Sequence, residues 1–158
     1  MDGFMLTRVT RRDGDMIYQT DPEFPKSIYF YGCYLLSLCE RLTTHFDLPF
    51  THDSVLAFFE YGRAHKFIDE QVTLLDPQSL CDQAVGTDRV RFLGKFPPAH
   101  EALDDELEIV CYHKDGASFN HFCSGNGKGM VLYDPWSSTG SDSVLNGQLI
   151  GKRIYRIL

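Results

Sequence analysis

Cys33 stands where an aromatic run, Ile28 to Tyr31, ends at Gly32 and an apolar helical pattern begins. A helix N-terminus offers unpaired backbone N–H groups and the positive end of the macrodipole, and both favour a thiolate. Such a thiol becomes a working nucleophile when a base takes its proton and a third group orients that base. Residues of both types lie close together later in the chain. Phe119-Asn120-His121-Phe122 is followed by a glycine-rich turn, Ser124 to Gly129, and then by Met130 to Trp136, which contains Asp134-Pro135. The spacing predicts a hairpin with His121 on its first strand and Asp134 closing its second. Adjacent strands let the carboxylate reach the imidazole if the register puts both on one face, and the long turn leaves that register open. The chemistry these three residue types offer is thiol attack on an acyl carbon, assisted by an imidazole.

The elements that must position them fall into two halves. Tyr34, Leu35, Leu38 and Leu42 form one stripe of a helix running to about Thr44. A second helix begins near Thr51 or Asp53 and runs through Arg63. A third covers Pro77 to Ala84, with Asp76 as its cap, Pro77 at its first position and Gly86 just past its end. Residues 27–32, rich in aromatics, read as extended. The second half reads as short strands at 89–93, 107–112, 117–123, 130–133 and 152–157, separated by turn residues. The fold class is therefore α+β, with N-terminal helices packed on a C-terminal antiparallel meander. Residues 137–143 read as a solvated loop bordering the Asp134 end of the sheet. Ahead of these elements, Asp13-Gly14 and Asp21-Pro22 mark turns around the apolar Met16-Ile17-Tyr18. No repeat or internal boundary divides residues 1–158.

Composition narrows the function classes. With 12 Phe and 8 Tyr in 158 residues the chain carries too much apolar bulk for a disordered polymer. Its 15 Lys and Arg against 22 Asp and Glu oppose sequence-independent nucleic-acid binding, which needs a basic surface. No apolar run approaches the ~20 residues of a membrane span, and the first residues lack a signal-peptide core. A cytoplasmic protein is expected. The five cysteines are odd in number and form no CxxC pair, so a disulfide scaffold is not expected. Four read as buried thiols packing like small hydrophobes, and Cys33 as the exception.

A thiol opening the first long helix, a histidine on a strand and an aspartate in Asp-Pro one hairpin later resemble the papain-like cysteine peptidases. The resemblance is closest to the bacteriocin-leader-processing peptidases, whose domains end in a His-aromatic pair and an Asp-Pro. It covers residues 31–38 and 119–136, and between them the architecture alone. It implies a papain-like α+β domain and hydrolysis of a peptide, isopeptide or cell-wall amide through an acyl-enzyme, with no cofactor or metal. Carried over residue by residue, Cys33 is the nucleophile, His121 the general base and acid, and Asp134 the group orienting the imidazole. Tyr31, Asn120 and Trp136 flank these motifs and are expected to border the substrate cleft. The Tyr31-Gly32-Cys33 and Asp134-Pro135 ends also resemble small uncharacterised proteins of bacterial mobile elements and phages. The chain departs from the peptidases twice. Ser27 occupies the position where they carry an oxyanion-hole glutamine, and Gln19, the nearest glutamine, reaches the site only if residues 21–27 loop out. Gly32 and Tyr34 flank Cys33 where the family has Asp and Gly. Losing one oxyanion donor costs roughly 10²–10³ in rate, so Gln19 and Ser27 are the candidates for that role.

Two other readings use the same residues. A papain-like domain without catalysis would bind a protein partner through its acidic surface. A zinc site would use Cys111, His113, His121 and Cys123: Cys111-Tyr112-His113 and His121-Phe122-Cys123 are mirror images. Pairing about a turn near Ala117 would set Cys111 opposite Cys123 and His113 opposite His121, offering two thiolates and two imidazoles to a tetrahedral ion. The run Gly125-x-Gly127-x-Gly129 leads into a strand, not a helix, and so reads as a hairpin turn and not as a phosphate cradle.

Overall fold

Thr51 and Asp76 each end an extended stretch with a side chain able to take up a free helix amide, and both begin helices. A computed structural model describes residues 16–158. In it Thr51 Oγ1 accepts from Ser54 N at 3.1 Å and starts α3 (His52–Ala64). Asp76 accepts from Ser79 N at 3.0 Å and starts α4 (Pro77–Val85), with Pro77 in the first turn. Between the N-terminal segment and α3 run α1 (Lys26–Tyr31) and α2 (Cys33–Phe46). The expected extension over residues 27–32 is thus corrected to a helix. Only Ile28 of this short element is buried, and Tyr29 and Phe30 face outward. The four-residue run Ile28 to Tyr31, β-branched and aromatic, is too short to separate the two periods, and here Gly32 N bonding Ile28 O at 2.8 Å closes a helical turn.

Helix α2 is the centre of the molecule. The sequence stripe is extended by Leu36, Ser37, Cys39, Glu40 and Thr43, all buried, so the helix is covered on nearly every side. Strands β1 (Val90–Phe96), β2 (Glu106–His113), β3 (His121–Gly125), β4 (Val131–Tyr133) and β5 (Gln148–Ile157) form one antiparallel sheet in the order β1-β5-β2-β3-β4. The α+β class holds. The meander is corrected: the last strand inserts between β1 and β2, so β1 and β2 are not neighbours. A short helix α5 (Asp142–Asn146), capped by Ser141, occupies part of the stretch expected to be loop. One cluster of buried side chains, chiefly from the helices and from Val90, Ile109, Tyr133 and Tyr155 of the sheet, forms the core.

The β3–β4 hairpin is held from beneath. Gly127 and Gly129 adopt φ of 93° and 85°, a region that favours glycine. Their amides donate to Glu108 Oε2 at 2.9 and 3.0 Å. The glycine run is therefore a turn, as expected, and its concave amides are filled by the protein's own carboxylate. Glu108 in turn pairs with Lys152 at 2.6 Å, both side chains being buried.

No helix among the described residues is long and apolar enough to cross a membrane. The Asp13-Gly14 turn and the first residues lie outside the described residues.

Candidate active site

Three elements converge on Cys33. The first is α2 itself, which begins at Cys33 because Gly32 lets α1 and α2 meet almost end to end. A Cβ on Gly32 would sit 2.6 Å from Ile28 O. The second is β3, locked to the first turn of α2 by two hydroxyls. Ser37 Oγ donates to Cys33 O at 2.7 Å and to Phe122 O at 3.2 Å, while Ser124 Oγ donates to Ser37 O at 3.2 Å. These bonds set the start of α2 against the strand position next to His121. The third is the N-terminal segment, stitched alongside the end of β4. Tyr133 Oη donates to Ile17 O, Gln19 N to Pro135 O at 2.8 Å, and Thr20 Oγ1 to Trp136 O at 3.1 Å.

The His121–Asp134 contact left open by the hairpin register is present: Nε2 lies 2.7 Å from Asp134 Oδ1. Asp134 also accepts from Trp136 N at 2.9 Å and from Ser141 N at 2.7 Å. Burial opposes ionisation of this carboxyl, but its bonds to His121 and the two amides hold its pKa below the usual range. An ionised carboxylate only accepts, so Nε2 carries the proton it donates and Nδ1 is left for the thiols. Burial alone would depress the pKa of His121. Hydrogen bonds with Asp134, Cys123 and Cys33 outweigh that effect and raise it well above the ordinary histidine value. The arrangement stabilises an imidazolium beside Cys33.

All five cysteines, Cys33 included, are buried and unpaired. Burial pushes Cys39 and Cys81 far above the ordinary thiol range and Cys111 and Cys123 up to about 11. Cys33 alone of the five lines a recess. It lies between two: one of about 450 Å³ walled by Tyr34, Leu74, Phe92, Phe122 and Arg153, and one of about 270 Å³ walled by Gln19, His121, Trp136 and residues 141–143. Phe30, Phe119 and Asn120 border both.

Of the cleft candidates, Tyr31 lines the larger recess, Trp136 the smaller, and Asn120 both. Gln19 lines the smaller recess with Cys33 and His121; turns at residues 21–24 and the start of α1 at Lys26 occupy the stretch expected to loop out. Gln19 Nε2 donates to Tyr29 O at 2.8 Å and, more weakly, to Ile28 O at 3.4 Å, and its Oε1 is buried without a partner. Ser27 sits on α1 and lines neither recess.

The four-ligand zinc arrangement is corrected by the register. Tyr112 pairs with His121 and Cys111 with Phe122, one residue away from the expected match. Cys111 therefore shares a face with Phe122, and His121 and Cys123 point to the other. His113 bonds Asn120 instead. Among the described residues, His121, Cys123 and Asp134 do bring three ligand-type atoms within 4.8 Å, as do Asp21, Glu23 and His52. In the first group both Asp134 oxygens are occupied by the imidazole and the amides. In the second, His52 Nε2 bridges the two carboxylates at 2.9 Å each.

Sequence reasoning missed Ser37, Ser124 and Ser141. Ser37 carried a signal: a serine one turn after Cys33 inside an otherwise apolar helix has to bond something. Compared with protein-family models, curated proteins and solved structures, the chain matches none of them.

Proposed function

We propose that this protein is a cysteine-dependent amide hydrolase built on a papain-like plan. The observation that carries the reading is the 2.7 Å bond from His121 Nε2 to a buried, doubly amide-bonded Asp134, on an imidazole that lines one recess together with the thiol opening α2. A chance core histidine has no need of a carboxylate fixed at both oxygens, nor of a thiol in the wall of the same recess.

In the proposed reaction Cys33 Sγ attacks the amide carbon while its proton resides on His121 Nδ1. The carbonyl oxygen takes the negative charge, and the Cys33 backbone N–H and the Gln19 amide stabilise it, Gln19 exchanging its 3.4 Å contact to Ile28 O for the oxyanion. Collapse breaks the C–N bond, and the amine leaves with the proton from His121. A water then gives its proton to His121 and attacks the thioester, releasing a carboxylic acid and the thiol. Asp134 holds the ring and its tautomer throughout.

Alkylation by iodoacetamide, read by mass spectrometry, tests this. Cys33 should label at pH 6 at a rate at least tenfold above that of a free thiol of pKa ~8.5, with the other four cysteines silent. Cys33→Ala should abolish labelling while shifting Tm by no more than a few degrees. Labelling that rises only above pH 8, or that appears on another cysteine, rejects the assignment.

A further inference from the structure

The larger recess carries two cations that nothing in the described chain neutralises. Lys95 on β1 and Arg153 on β5 are directly opposed across the sheet, and both line this recess. Like charges facing each other on neighbouring strands destabilise a sheet. No carboxylate among the described residues pairs with either one. Arg153 makes only a 3.3 Å bond to the carbonyl of Lys152 and lies 5.2 Å over the Phe122 ring. Arg41, Lys114, Lys152 and Arg156, by contrast, each have an acidic partner. In a protein of net charge −7, acidic side chains are plentiful, yet none is placed here.

The two cations also lie near the reacting atoms. Cys33 lines the same recess as Lys95 and Arg153. The remaining walls are aromatic and aliphatic, from Tyr34, Leu74, Phe92 and Phe122. A ligand complementary to this space has an apolar stem and an anionic tip.

His121 assigns the side of the scissile bond. The group that protonates the leaving amine must lie on the leaving-group side, and His121 lines the smaller recess and not the larger. The larger recess therefore faces the acyl portion. Resting on the hydrolase reading above, we infer that the substrate is a peptide-like amide with a carboxylate side chain on the acyl side, close to the scissile bond, bound by Arg153 and Lys95.

Capped dipeptidyl chloromethyl ketones, with Glu, Gln or Lys at either of the two positions, test the preference through the rate of Cys33 labelling. At one position the Glu reagent should label at least tenfold faster than Gln, and Lys slower than Gln. The Glu:Gln ratio should shrink between about 20 mM and 500 mM salt, because partly exposed charges are screened. It should fall by half or more in Lys95→Met, an exposed position where folding is not at stake, and approach one in Arg153→Met. A second arm does not depend on catalysis: the Cys33→Ala protein is titrated with the matching capped dipeptide amides and followed by calorimetry. Tighter binding of the Glu amide, lost in Arg153→Met, supports the inference even where no ketone labels Cys33, an outcome that would instead sink the hydrolase reading. Equal binding of the Glu and Gln amides, or a Glu preference unchanged in both variants, overturns it.

Discussion

At the scale of single residues, His121 and Asp134 tie the site to pH. The folded-state pKa of His121 is raised, so its contribution to stability is complete below the unfolded value of ~6.5 and is lost as pH rises through the folded value. That of Asp134 is lowered, so its contribution is complete above ~3.9 and is lost as pH falls through the folded value. Both shifts describe one interaction and are not summed. Asp134→Asn keeps the shape and removes the charge, and burial then drives His121 towards its neutral form. Between pH 5 and 8 the variant should be destabilised by about 2 kcal/mol, the worth of a hydrogen bond to a charged group. The difference should shrink as pH falls below ~3.9 and Asp134 of the unsubstituted protein takes up its proton. Urea midpoints across pH 2–9 measure it, and a difference that stays constant down to pH 2 contradicts the ion pair. The same variant should slow iodoacetamide labelling of Cys33 at pH 6.

At the scale of elements, the placement of Cys33 depends on a helix junction. Gly32 has φ of −84°, which any residue adopts, so its requirement is steric: an added Cβ meets the Ile28 carbonyl at 2.6 Å and Ile28 Cγ2 at 2.7 Å. Gly32→Ala must push α1 and α2 apart. The expected cost is about 1–3 kcal/mol in thermal or urea unfolding, together with a loss of Cys33 labelling larger than unfolding explains. Unchanged labelling in a folded Gly32→Ala protein would show that the junction does not position the thiol. Much at this scale was legible beforehand. Caps at Thr51 and Asp76 located α3 and α4 because N-cap chemistry is local, and the spacing of His121 and Asp134 anticipated their bond. The helix over residues 26–31 was not legible, since its short run of Ile28, Tyr29, Phe30 and Tyr31 suits a strand equally well. Nor was the β2–β3 register, which a turn around residues 114–120 sets through contacts distant in sequence. The insertion of β5 beside β2 was equally hidden, because strand partners are a property of the whole chain.

At the scale of the molecule, that inserted strand ties the site to residues 148–157. β5 lies between β1 and β2, carries Arg153 to the larger recess, and delivers Lys152 to Glu108. Glu108 in turn takes the amides of Gly127 and Gly129, so a buried charge network runs from the last strand through β2 to the turn of the hairpin bearing His121 and Asp134. Removing one partner of a buried ion pair leaves the other charged in a place water cannot reach. Lys152→Met should therefore destabilise the protein by about 3–5 kcal/mol. Adding Glu108→Gln removes the stranded charge while its side-chain oxygen can still accept from the two glycine amides. The double variant should accordingly be more stable than Lys152→Met alone, and the urea-unfolding cycle across the four proteins should give a coupling of at least about 1 kcal/mol. A coupling near zero would mean that the pair contributes no more than its separate contacts. Labelling of Cys33 adds a second readout. If the network holds the hairpin, Lys152→Met should slow labelling under conditions where the protein remains folded, and the double variant should recover part of that rate.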